Sequence, residues 1–375
     1  VSRRTASTAA ALARLGFADP GKAERLLRGP ALAPLADDAE VLASVSEAAD
    51  PDLALLGLDT VAGKASDPDR LVASIERDPA FRHRLLSVLG LSSAFSDHLG
   101  RHPDDWRAVA ALPLPAPRPD AGEVRAALLA TVGADPEAPV PVASSEDAVD
   151  RMRAAYRRAL LLVAARDLAD SLTTGVVAGE LAELADAALE AALSIARAQH
   201  PAEAPACRLA VIGMGKCGGR ELNYVSDVDV VFVAEPADGV DPEVAMAAAT
   251  TLATSLMRAC SEPSGEPPLW PVDAALRPEG KNGPLVRTVA SHREYYERWA
   301  KTWEFQALLK ARPVAGDAEV GAAYLDAVGP LVWQAADREG FVTDVQAMRR
   351  RVEEHVPRKD ADRNLKLGPG GLRDD

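Results

Sequence analysis

Cysteine is scarce in this 375-residue chain. Cys207, Cys217 and Cys260 form no CxxC pair and no Cys/His cluster, so neither a disulfide framework nor a zinc site is indicated. Aromatic residues are also thin, at 4% against 48% hydrophobic, so the core must be built mostly from Ala, Leu and Val. Basic residues are outnumbered 42 to 56, which leaves a formal net charge of −14. A chain this acidic is a poor candidate for broad nucleic-acid binding, which depends on Lys and Arg neutralising phosphates. No apolar run of about 18 residues occurs, so no membrane span is expected. The start carries Arg3-Arg4, but Ala-rich sequence follows where a signal peptide would place its apolar stretch. A cytoplasmic protein follows by elimination. The six histidines lack metal-ligand spacing, and His292 and His355 read as surface residues. The length suits two or three domains of about 100–200 residues each.

Residues 1–143 read as short helices joined by Pro-rich linkers at 112–119 and 136–141. Phe17-Ala18-Asp19-Pro20 is a helix start, with Asp19 as cap and Pro20 in the first turn. Similar pieces are expected at about 37–49, 67–76, 78–89 and 103–111. Long amphipathic helices should cover about 144–170 and 178–199, where leucines recur at helical spacing. Convincing strands appear only afterwards, at 208–212 and 228–233, with a third plausible at about 269–276. A helix at about 242–260 separates the last two. Residues 291–355 read as helical again. The expected class is α+β: a small mixed sheet in a unit spanning 144–290 with its leading helices, followed by a helical domain at 291–375.

The informative segment is VIGMGKCGGRELNYVSDVDVVF, residues 211–232. Gly213-x-Gly215-x-x-Gly218 after a strand matches a dinucleotide fingerprint when taken alone. Such a fingerprint should open a crossover helix, with an acid at the end of the second strand about 20 residues on. Here only about nine residues separate Gly218 from the next strand, and the acids sit at its start, so NAD binding is not expected. Residues two apart on a strand share a face, so Asp227 and Asp229 present two carboxylates side by side. Paired carboxylates repel unless a cation lies between them, and Mg²⁺ carrying a phosphate would suit. Asp273, on the third strand, is placed to complete a two-metal site, whose ions clamp the attacking and leaving oxygens of an in-line displacement. Any one of these acids could be an ordinary solvated aspartate; the combination is what points to chemistry. Around it, backbone groups at Gly218 and Gly219 with the Ser226 hydroxyl would cradle phosphate oxygens. Lys216 could approach the same phosphate. Arg277 is either a phosphate contact or a structural ion pair. Lys310 and Arg312 form a basic rim or a solvated face. Trp299 and Trp303, four apart, are expected on one helix face in the core.

Residues 213–229, GMGKCGGRELNYVSDVD, resemble the signature of bacterial glutamine synthetase adenylyltransferases of the actinobacterial type. Cys217 stands where that family usually has a branched aliphatic residue. The resemblance continues through Val272-Asp273 with Leu276-Arg277-Pro278, Gly280-Lys281, Tyr295-Tyr296-Glu297-Arg298-Trp299, Leu309-Lys310-Ala311-Arg312 and the stretch 364–374. It implies a polymerase-β-like nucleotidyltransferase domain, present in the family as two tandem copies. The N-terminal copy removes AMP from a tyrosine of glutamine synthetase by phosphorolysis, releasing ADP; the C-terminal copy attaches AMP from ATP. One copy is present here, and its position implies the removing half. Asp227, Asp229 and Asp273 would then hold Mg²⁺. The partners implied are glutamine synthetase, ATP or ADP, inorganic phosphate and a PII-type signal protein. The alternatives are that the same domain attaches AMP to glutamine synthetase or another acceptor, or that it is a non-catalytic nucleotide- or signal-binding module. The chain stops soon after 367–372, and Asp375 departs from the expected aliphatic residue, which implies truncation.

Overall fold

In the computed structural model, residues 8–170, 172–337 and 340–354 are described. The twin arginine, His355 and the Gly-rich stretch at 364–374 lie outside them. No described helix is long and apolar enough to cross a membrane.

Residues 8–110 pack as short helices around their own core, which includes Leu58, Val61, Leu71, Ile75, Leu85 and Trp106. Aspartate followed by proline starts four of these helices: Pro20–Leu27, Pro51–Lys64, Pro68–Arg77 and Pro79–Leu91. In each, the aspartate side chain accepts first-turn backbone N–H groups at 2.9–3.0 Å. Proline's fixed φ suits the first turn, and each such cap contributes about 1 kcal/mol. Helices at Pro51–Lys64, Ser93–Arg101 and Ala121–Thr131 are additions to the sequence-based expectation. The Pro-rich stretch at 112–119 is docked, because the buried Arg84 donates to the carbonyls of Leu112 and Pro113, both at 2.8 Å. Beyond it, Leu128, Leu129, Val132 and Ala143 join the core of the sheet domain. The two cores therefore divide near this stretch rather than at residue 143. The Ala148–Asp170 helix is their shared wall: Leu161, Ala164 and Ala165 face the first core, while Met152, Tyr156 and Val163 face the second.

Among the described residues, five strands form one mixed sheet: β1 (Cys207–Gly213), β2 (Val228–Pro236), β3 (Val272–Asp273), β4 (Val286–Arg287) and β5 (Arg312–Gly316). The order is β3-β2-β1-β5, with β4 also on β2. β1 runs antiparallel to both β2 and β5, while β3 and β4 lie parallel to β2. Helical layers cover both faces. Leu209, Val211, Val230 and Phe232 pack toward the Thr174–Gln199 and Pro242–Ser261 helices, and Ala210, Ile212, Val231 and Val233 pack toward Tyr296, Phe305 and Tyr324. Burial on both faces explains why β1 and β2 read as continuous apolar runs instead of alternating ones.

Three expectations need correction. The third strand is two residues long rather than eight, since the segment before it lies as irregular chain. Residues 291–355 are not helical throughout, because β5 completes the sheet from beyond residue 290. Its short Arg-Pro-Val-Ala-Gly sequence carries no alternation to announce a strand. Trp299 and Trp303 do not share a helix face: Trp299, 71% exposed, ends the Val289–Arg298 helix, and Trp303 belongs to the Thr302–Leu308 helix.

His292, expected at the surface, is fully buried against Tyr296 and Tyr324. Its Nδ1 lies 3.1 Å from the Thr288 carbonyl, and Nε2 has no partner among the described residues. Burial pushes its pKa down from 6.5 to about 4. The unfolded chain therefore takes up a proton that the folded chain refuses. The His292 contribution to stability should be complete above about pH 6.5 and be lost as pH drops toward 4, by up to about 3 kcal/mol. Urea unfolding of His292→Gln should lose this part of the decline; equal pH slopes in both proteins would place the charge uptake elsewhere.

Candidate metal and phosphate site

The site grows from one local fact and one long-range fact. Locally, Asp227 precedes β2 and Asp229 lies in it, two residues apart and on one face. At long range, β3 joins β2 in parallel register and sets Asp273 directly beside Asp229. Carboxylate oxygens of Asp227, Asp229 and Asp273 consequently lie within 4.8 Å of one another. Asp227 is exposed and the other two are half-buried. The Ala275 backbone N–H donates to Asp273 Oδ1 at 2.8 Å and fixes that carboxylate. Three hard oxygen donors this close fit a hard divalent cation, which offsets their mutual repulsion.

The glycine turn supports this cluster from below. After β1 the chain makes a single helical turn, Gly215–Gly218, and the Met214 N–H donates to the Asp229 carbonyl at 2.9 Å. Gly215 has φ +51, and a Cβ there would lie 2.6 Å from Asp229 Oδ2. Only glycine lets the carboxylate settle against the backbone at this point. Because β2 returns antiparallel to β1, no crossover unit exists here, and the geometry of a dinucleotide-binding turn is absent.

The phosphate contacts expected from sequence need revision. The N–H groups of Gly218 and Gly219 already donate to the carbonyls of Met214 and Gly215, at 2.9 and 3.0 Å, so they have no proton left for a phosphate. A Cβ on Gly218 would lie 2.0 Å from the Lys310 carbonyl oxygen, so this glycine serves close backbone packing. Lys216 Nζ donates to Asn223 Oδ1 at 2.7 Å. The Ser226 hydroxyl lies 3.4 Å from Asp227 Oδ1, at the rim of the cluster. Among the described residues Arg277 forms no ion pair. Its guanidinium donates to the carbonyls of Ala274, Lys281, Gly283 and Pro284 at 2.8–3.3 Å and cross-braces the 274–284 loop. Burial lowers its pKa, while the nearby Asp273 charge opposes that change. The braced loop forms one wall of an open cleft of about 580 Å³. Asp227 and Asp273 line it with Arg277, Lys281, Met257 and Leu285. Carboxylates, two cations and an apolar side in one cleft suit a metal-bound phosphate attached to a larger organic group.

Several supporting residues were missed in the sequence. Arg153 and Arg157 on the Ala148–Asp170 helix donate to carbonyls at 259, 262 and 266–268, just ahead of Asp273. The Trp270 indole donates to the Tyr156 hydroxyl at 3.1 Å. The Tyr224 hydroxyl donates to Asp167 at 2.9 Å, which ties down the loop leading to Asp227. One long helix thus anchors both segments that deliver the acids. Arginines at a four-residue spacing, 153 and 157, were a signal that the segment carried, although a solvated face has the same spacing. Lys310, expected on a basic rim or a solvated face, pairs with Glu221, and Arg312 turns inward to Asp186.

A family model described as glutamate-ammonia ligase adenylyltransferase matches residues 82–327. A second, described as GlnD PII-uridylyltransferase, matches residues 346–374, mostly outside the described part. Curated relatives called bifunctional glutamine synthetase adenylyltransferase/adenylyl-removing enzyme come from several organisms. That of Streptomyces avermitilis is 52% identical over 374 residues, covering 99% of this chain and 36% of the relative. That of Streptomyces coelicolor is 53% identical over 379 residues, with the same coverage. That of Mycobacterium tuberculosis strain H37Rv is 47% identical over 375 residues, covering 96% of this chain and 35% of the relative. The chain therefore spans about a third of the length of the relatives it matches.

Proposed function

Because the chain belongs to the glutamate-ammonia ligase adenylyltransferase family, we propose that it removes AMP from a tyrosine of adenylylated glutamine synthetase by Mg²⁺-dependent phosphorolysis. The observation that carries this reading is the meeting of Asp227, Asp229 and Asp273 oxygens within 4.8 Å, beside the cleft that Asp227 and Asp273 line. The domain around it is of the polymerase-β-like nucleotidyltransferase type. In this reading the chain corresponds to the N-terminal copy of a longer bifunctional protein and serves nitrogen regulation in the cytoplasm. A PII-type signal protein is a further partner of the longer protein.

The chemistry balances without a covalent enzyme intermediate. An oxygen of inorganic phosphate attacks the phosphorus of the tyrosyl-AMP diester. The bond from phosphorus to the tyrosine oxygen breaks, ADP forms, and the tyrosine oxygen regains its proton. Mg²⁺ bound at the acids supplies charge neutralisation for the two phosphate groups. Asp227, Asp229 and Asp273 hold that charge in place. The Ala275 N–H keeps Asp273 oriented, Lys281 lines the path of the incoming phosphate, and Ser226 offers a hydroxyl at the rim. Arg277 acts by bracing the loop that carries Lys281. Rate enhancement comes from positioning and preorganised charge.

The test is release of labelled ADP from adenylylated glutamine synthetase, labelled phosphate and Mg²⁺, with chelator as control. Metal-dependent ADP is the expected result. Incorporation of AMP from ATP into glutamine synthetase, without ADP release, would assign the chain to the attaching direction. Nucleotide binding with neither reaction would make it a regulatory module.

A further inference from the structure

We propose that Arg312, held by Asp186, is a positioning residue for the acid cluster. The inference rests on the metal-dependent reading above. Arg312 opens β5 directly across from Gly213 of β1. Its guanidinium donates to Asp186 Oδ2 at 2.6 Å and Oδ1 at 3.1 Å. The same group donates to the carbonyls of Gly218 at 3.2 Å and Cys217 at 3.0 Å. It therefore bolts the end of the Gly215–Gly218 turn to the Thr174–Gln199 helix. These carbonyls lie at the end of the turn, where a helix leaves carbonyls short of intrahelical donors, and that of Cys217 also accepts the Arg220 N–H at 3.3 Å. A one-turn helix has too few bonds of its own to hold its place. The first residue of that turn is Gly215, against which the Asp229 carboxylate rests. Any drift of the turn thus moves the wall that seats Asp229.

The pair is also costly to break. Burial pushes the Asp186 carboxyl above its ordinary range, and Arg312 works against that shift. Without the guanidinium, Asp186 would be a half-buried charge lacking its cationic partner, a destabilising state. Lysine at 312 keeps a cation but cannot reproduce a planar fork reaching two carbonyls and a carboxylate together. Arg312→Lys separates positioning from simple charge compensation.

Two readouts on the full chain decide the matter, and neither needs turnover. Hydrogen exchange of the 213–219 amides, measured without metal, should accelerate in Arg312→Lys. Affinity for Mn²⁺, followed by electron paramagnetic resonance, should fall by about tenfold, equivalent to about 1.4 kcal/mol. Arg82→Lys is the control, since Arg82 is a buried arginine donating to the Ile75 and Glu76 carbonyls in the N-terminal core. It should leave both readouts at wild type. If Arg312→Lys does not fold, Asp186→Asn retains the guanidinium while loosening its anchor and is read the same way. Unchanged exchange and unchanged Mn²⁺ affinity overturn the positioning role. Absence of Mn²⁺ binding in the wild-type protein overturns the metal-dependent reading instead, and exchange alone then decides the role of Arg312.

Discussion

Asp229→Asn is expected to lower ADP release by roughly a thousandfold or more, because losing a metal ligand removes several kcal/mol of transition-state stabilisation. The substitution is close to isosteric, so the side chain still fits against Gly215. The paired backbone of β2 is untouched, and the fold should remain intact by circular dichroism and thermal unfolding. The loss should fall mainly on kcat, with KM for adenylylated glutamine synthetase little changed, because the acids act on the reacting phosphates rather than on the protein partner. Near wild-type turnover at saturating Mg²⁺ would remove Asp229 from the site. It would leave the three-carboxylate cluster without a catalytic meaning.

Gly218→Ala is expected to act on a different link, the fold itself. An added Cβ would lie 2.0 Å from the Lys310 carbonyl oxygen and 2.4 Å from that of Gly213, whereas real Cβ contacts essentially never fall below 3.0 Å. Both neighbours are backbone, at the point where β1 meets the entrance to β5, so neither can rotate away. Overpacking against a fixed backbone belongs to the short set of changes costing about 4 kcal/mol or more. Gly175→Ala is the matched control. It sits near the start of the Thr174–Gln199 helix with nothing within 4 Å of an added Cβ. That substitution should be neutral or stabilise slightly, by less than about 1 kcal/mol. Urea unfolding measures both. If Gly218→Ala lay within about 1 kcal/mol of wild type, the close backbone approach would be wrong. A phosphate cradle at Gly218, the expectation from sequence, predicts the reverse pattern: normal stability and lost activity.

The sequence by itself determined what depends on short-range geometry. Helices at Ala148–Asp170, Thr174–Gln199 and Pro242–Ser261 were legible because apolar residues recur at helical spacing. The pairing of Asp227 with Asp229 on one face was legible because strand periodicity is a property of the chain alone. The Asp-Pro caps are equally local, although only the one at Asp19 was used. The acids' neighbourhood was decided by tertiary structure. Asp273 reaches Asp229 through a two-residue parallel ladder, too short to leave a periodic trace. β5 enters the sheet with a sequence that predicts no strand, because pairing with β1 supplies the hydrogen bonds that local propensity does not. In the sequence Arg277 reads as a phosphate contact or a structural ion pair, and Arg312 as part of a basic rim or a solvated face. In the fold, each guanidinium instead spans several backbone carbonyls of its own neighbourhood, and which carbonyls lie within its reach is set by the folded chain. His292 shows the same limit from the other side: its burial comes from the aromatic rings of Tyr296 and Tyr324 around it, and nothing adjacent in the chain announces that Tyr324 will be there.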